Sequence, residues 1–171
     1  MDPAALTLTA LVAAITAVVV RRHGWLTRVR SWSMYPTLQP GDVHLTRAIA
    51  RPDHLRRGDI VVIQSAELGR DVIKRIIGLP GETVDISADG VSIDGLGVPE
   101  PYRTILGGPA GTFHVPAGTY LVLGDNRPRS SDSRTWTQPY VPAAAVRGRV
   151  TSRQLLRHRR STQQLPATMG L

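Results

Sequence analysis

The chain has 171 residues, 42% of them hydrophobic, which suits one compact domain with short appendages better than two full domains. It contains no cysteine, so disulfides, thiolate metal ligands and a cysteine nucleophile are excluded together. The formal charge of +8 is unevenly spread: no acidic residue follows Asp132, and no nucleic-acid-binding motif accompanies the arginines that do.

Ala5 to Val20 reads ALTLTALVAAITAVVV, uncharged throughout, and RRHGWLTRVR follows it. A helix over 4–20 would be roughly 25 Å long, just short of the roughly 30 Å hydrocarbon core of a bilayer. The segment has no polar face and no basic leader, since Asp2 is its only charged neighbour on that side. It therefore reads as a membrane anchor, with Trp25 and the arginines at the interface, ahead of a buried helix or a removable signal peptide. Arg21, Arg22, Arg28 and Arg30 leave its orientation open, because the positive-inside tendency would hold that flank in the cytosol.

From residue 41 the pattern becomes punctuated strands. DIVVIQ (59–64), DVIKRII (71–77), TVDIS (83–87), GVSID (90–94) and TYLVLG (119–124) are rich in β-branched residues and bounded by QPGD, RRGD, LPGE, ADG and PAG. Asp89-Gly90, set between alternating apolar residues, predicts a hairpin. The expected division is an anchor and basic flank over 1–24, a mainly β domain over 25–153, and a basic, flexible tail over 154–171 that contains RHRR (157–160). Anionic lipid headgroups are the alternative role for that tail.

Two features carry chemistry. SWSM (31–34) holds two serines one residue apart, and Lys74 is the only lysine among 21 Lys and Arg residues. A guanidinium keeps its proton, whereas a lysine desolvated by apolar neighbours can serve as a neutral base. Strand alternation puts Val72 and Ile76 on the face of Lys74, but it flanks Arg75 equally with Ile73 and Ile77, so alternation alone does not single out the lysine. His44, His54 and His114 read as surface or turn residues, and their scatter lacks metal-ligand spacing.

Three separated segments, SWSMYPTLQPGD (31–42), KRIIGLPGE (74–82) and GDNRPRSSDSR (124–134), together with RRGDIVV (56–62), resemble in order and spacing the signatures of type I signal peptidases. The resemblance covers roughly residues 31–150 and implies an all-β catalytic domain on one N-terminal transmembrane helix. It further implies a serine endopeptidase with a Ser/Lys dyad that removes signal peptides from exported precursors. On that resemblance Ser33 is the nucleophile and Lys74 the general base. Ser31 joins the Ser33 amide in the oxyanion hole, Ser130 orients the lysine, and Asp132 with Arg134 forms a supporting ion pair. Met34, Leu38, Val72 and Ile73 are the candidate lining of a pocket for small side chains, with plain core packing as the alternative.

The implied partners are precursors carrying signal peptides and the membrane lipid, with no metal, organic cofactor or nucleic acid. The implied location is the cytoplasmic membrane, single-pass, with the domain on the extracytoplasmic side. The sequence leaves oligomeric state unassigned. Trp32 stands where the family usually has a small residue, and TWTQPYVP (135–142) replaces the usual aromatic-Gly-Pro continuation. Residues 82–124 leave no room for a large accessory domain. A dedicated peptidase for one precursor and a catalytically inactive membrane-surface protein are the alternatives. A self-cleaving repressor would need a DNA-binding domain where the apolar segment lies.

Overall fold

The computed structural model describes residue 7 and residues 24–49, 55–102 and 104–156. The expected anchor, His54 and the tail beyond residue 156 lie outside the described residues. Among the described residues no helix is long and apolar enough to cross a membrane.

Among the described residues eleven strands follow in chain order: β1 (Trp25–Arg28), β2 (Val43–Ala48), β3 (Ile60–Ser65), β4 (Arg70–Gly78), β5 (Thr83–Ile86), β6 (Val91–Ile93), β7 (Leu96–Gly97), β8 (Gly111–His114), β9 (Thr119–Leu123), β10 (Tyr140–Pro142) and β11 (Val146–Leu156). The five expected strands are β3, β4, β5, β6 and β9, with ends shifted by one residue at most sites. Asp89-Gly90 joins β5 to β6, where the Ser87 amide donates to the Gly90 carbonyl at 2.9 Å. β11 continues three residues beyond the boundary expected at 153.

The strands form two antiparallel sheets, one of seven strands in the order β1-β2-β11-β3-β4-β9-β10 and one of four in the order β7-β6-β5-β8. The small sheet is an excursion between β4 and β9, which are neighbours in the large one. Consecutive β-branched residues explain why β3 and β4 lie centrally, since Val61, Val62, Ile63, Ile76 and Ile77 are all buried. Alternation divides them. Val61, Ile63, Ile76 and Val122 face a core completed by Leu55, Trp136, Val141 and Val146. Ile77, Leu121 and Leu123 face the small sheet through Val84, Ile86, Val91 and Ile93. Two of the punctuating segments also lock together, because Arg57 of RRGD grips Glu82 of LPGE with bonds of 3.0 and 2.6 Å.

One expectation needs correction. His44 is not a surface residue. It occupies an inward position of β2 at 4% exposure, and neither ring nitrogen has a hydrogen-bond partner among the described residues. The strand period of two, which carries Thr46 inward as well, overrode its polarity. Trp25 is the first residue of β1, paired with Thr46 and half-buried, and its ring lies over Gly148, where a β-carbon would meet it at 2.7 Å.

Candidate active site

The site is assembled where β4 meets the end of β9. Arg75 pairs with Leu123, so carrying the antiparallel register one residue on sets Gly124 across from Lys74. Lys74 is 3% exposed, and its Nζ donates to Ser130 Oγ at 3.1 Å. Burial lowers its pKa from 10.5 to about 8; the Asp132 carboxylate opposes that shift, and Arg134 and Arg70 add to it.

The pair left open by alternation is now resolved by partners. Lys74 and Arg75 are both buried, but Arg75 is fully engaged. Its Nε and one terminal nitrogen reach the two Asp125 oxygens at 2.8 and 2.6 Å, the other terminal nitrogen donates to the Gly58 carbonyl, and the guanidinium lies 3.7 Å over the Tyr102 ring. Thr37 also donates to Asp125.

Ser33 opens the turn 33–37, which contains a cis Tyr35–Pro36 peptide, and is buried at 8% exposure. The exposed Ser31 places its hydroxyl 3.2 Å from Ser33 Oγ. No described residue accepts a hydrogen bond from the Ser33 amide. Asn126 fixes this turn from the other side, its amide donating to the Ser33 carbonyl at 3.0 Å and its side chain to the Trp32 carbonyl at 3.1 Å.

Gly124 joins the two halves. A β-carbon there would lie 2.2 Å from Ser130 Oγ and 2.5 Å from the Ser33 carbonyl oxygen, so the lysine's partner and the serine turn close on the same bare α-carbon. No direct hydrogen bond joins Lys74 to Ser33. They share this junction, with the Gly124 amide held by Asp132 Oδ2 at 3.0 Å.

Asp132 and Arg134 form a two-bond ion pair of 2.8 and 2.9 Å, with both side chains at 0% exposure. Arg134 also caps the Gly107 and Arg127 carbonyls. Of the four candidate pocket residues, Met34 and Leu38 are buried together with Ile73 packed on them, whereas Val72 packs against the main core. Asp125, Asn126 and Gly124 were not singled out from the sequence, although GDN lay inside a matched segment. Arg75 was weighed only as a rival base. A depression of about 370 Å³ lined by Asp85, Ser87, Asp89 and Thr112 holds none of these groups.

Fold and site define a β domain with a desolvated lysine, held by a serine, beside a turn of paired serines. The family model for "Signal peptidase, peptidase S26" matches residues 4–155. A signal peptidase I of Bacillus licheniformis is 40% identical over 118 residues, covering 62% of this chain and 63% of its own length. Signal peptidase I T of Bacillus subtilis (strain 168) is 37% identical over 139 residues, covering 73% and 72%. The chain thus spans 63% to 72% of the length of these relatives. A crystal structure of a signal peptidase I from Enterococcus faecalis V583 superposes with a TM-score of 0.50 at 36% identity, covering 57% of this chain and 97% of that one. The chain belongs to the signal peptidase family, peptidase S26.

Proposed function

We propose that this chain is a serine endopeptidase that removes N-terminal signal peptides from exported precursors by cutting after small residues. The observation that carries the reading is the buried Lys74 amine, bonded to Ser130 and brought by Gly124 to the turn of Ser33. With a pKa of about 8, roughly a tenth of the amine is neutral at pH 7, enough to act as a base.

Ser33 Oγ attacks the scissile carbonyl carbon as Lys74 Nζ takes its proton. The oxygen that becomes negative is held by the Ser33 amide, which has no acceptor among the described residues, and the Ser31 hydroxyl, which needs only to turn from Ser33 Oγ. The C–N bond then breaks, Lys74 returns the proton to the leaving amine, and water hydrolyses the ester by the same base. Ser130 keeps the amine directed, while Asp132 and Arg134 brace the Gly124 junction from behind. Met34, Leu38 and Ile73 are the lining for the small side chain. The precursor lies as an added strand along the cleft.

The same reading sets the domain on the extracytoplasmic side of the cytoplasmic membrane, anchored by residues 1–24. Incubating the purified protein with secretory precursors and mapping cut sites by mass spectrometry tests it. Cleavage after small residues, lost in Ser33→Ala and Lys74→Arg, is expected; an active Lys74→Arg protein would refute the dyad.

A further inference from the structure

The two chain neighbours of Ser33 have opposite surroundings. Met34 is 1% exposed, packed with Val29, Leu38 and Ile73, whereas Trp32 is 54% exposed. Trp32 is nevertheless held in place. Its ring meets Tyr35 edge-on, with centroids 5.5 Å apart and planes at 65°. Its carbonyl accepts from the Tyr35 amide and from Asn126 Nδ2, both at 3.1 Å. An aromatic surface so fixed loses little conformational entropy when something binds to it.

We propose that Trp32, backed by Tyr35, selects the side chain that follows the scissile bond. This rests on the reading of Ser33 as nucleophile. The scissile carbonyl oxygen then lies between the Ser33 amide and the Ser31 hydroxyl, and residue 32 is the link between those two donors. Residues 32 and 34 differ in burial, Met34 turned into the core and Trp32 exposed to solvent. With Met34 and Ile73 serving the acyl side, the exposed indole flanks the leaving group. Such a surface gains from an apolar or aromatic side chain and nothing from glycine or aspartate. A small residue at position 32 would leave that space open.

The test uses the full chain in detergent with soluble peptides that share a small-residue cut site and differ only at the next position: Phe, Leu, Ala, Gly or Asp. Wild type should favour Phe and Leu over Gly by about three- to tenfold in kcat/KM. Trp32→Gly should bring that ratio close to unity, and Trp32→Phe should keep most of it. A ratio within one preparation does not depend on how much of the variant is folded. Equal cleavage of all peptides by wild type, or a preference that survives Trp32→Gly, overturns the proposal. So does a uniform fall with the ratio intact, which would assign Trp32 to the turn's structure. A fall confined to precursors in phosphatidylglycerol vesicles would make it a membrane contact and overturn it equally. If wild type cleaves no peptide and a serine-directed phosphonate fails to label Ser33, the peptidase reading itself falls; cleavage without preference ends only this inference.

Discussion

At the scale of the residue, burial that lowers the Lys74 amine to about 8 works against the folded state while it prepares a base. The unfolded chain holds its proton up to about 10.5, so between about 8 and 10.5 it binds more protons than the folded one. Stability attributable to Lys74 therefore rises with pH across that window, and below it the buried charge costs folding free energy. Lys74→Met is expected to abolish cleavage yet raise neutral-pH stability by about 1–3 kcal/mol, read by urea denaturation. A destabilised Lys74→Met would contradict the desolvation argument. The acid limb of kcat/KM should have its midpoint near the same pKa, with activity rising as pH increases through it, and a limb near 10 would mean an exposed amine. Ser31→Ala should lower kcat by about a hundredfold or more while Ser33 stays reactive. An unchanged kcat would remove Ser31 from the oxyanion hole.

At the scale of the element, the junction of β4 with the chain after β9 needs a residue with no side chain at 124. Gly124→Ala drives a methyl group against Ser130 Oγ and the Ser33 carbonyl, so the lysine's partner or the serine turn must move. The expected result is a loss of about 1–3 kcal/mol of stability and a fall in kcat of about a hundredfold, the scale set by small misplacements of reacting groups. Alongside it, the Arg75–Asp125 pair is buried on both sides, at 6% and 1% side-chain exposure. Asp125→Ala strands a guanidinium in the interior and should cost about 3–5 kcal/mol by thermal or urea unfolding. Arg75→Met combined with Asp125→Leu should recover much of that loss, since both buried charges are then gone. Tyr102 ties the excursion to this pair. Its hydroxyl donates to Glu100 at 2.8 Å, and burial pushes its pKa well above the ordinary tyrosine value. Glu100 in turn pairs with Arg127, whose Nε holds the Gly124 carbonyl at 3.0 Å. The connection between β7 and β8 is thereby pinned to the junction, so the excursion braces the site from outside the large sheet.

At the scale of the whole molecule, every residue with a proposed chemical role lies in the large sheet or the turns leaving it. The small sheet hangs between β4 and β9 without supplying one. If residues 1–24 hold this domain at a bilayer, they act through effective concentration rather than through chemistry. A chain beginning at residue 24 should then cleave soluble peptides at the full-length rate and lose most activity on membrane-embedded precursors. Equal loss on both substrates would mean that the N-terminal segment is part of the catalytic fold. Protease digestion of intact spheroplasts should degrade the β domain, and full protection would reverse the proposed topology.

The strands that alternate or run continuously in β-branched residues were legible from local pattern, because period and turn chemistry are encoded within a few residues. β1, β10 and the long β11 were not, since Gly148 in β11 and the prolines around β10 weaken the local signal and pairing across the sheet outweighs it. In the same way the sequence by itself determined the chemical types present: two serines close together, one lysine among arginines, and the order of segments that marks the family. Only the tertiary structure decided which buried cation is paired with a carboxylate. It occupied Arg75 with Asp125 and Tyr102, left Lys74 with a neutral serine, and turned His44 inward. The reason is physical: desolvation and pairing depend on groups 50 or more residues apart in the chain, and no window of local sequence contains both partners.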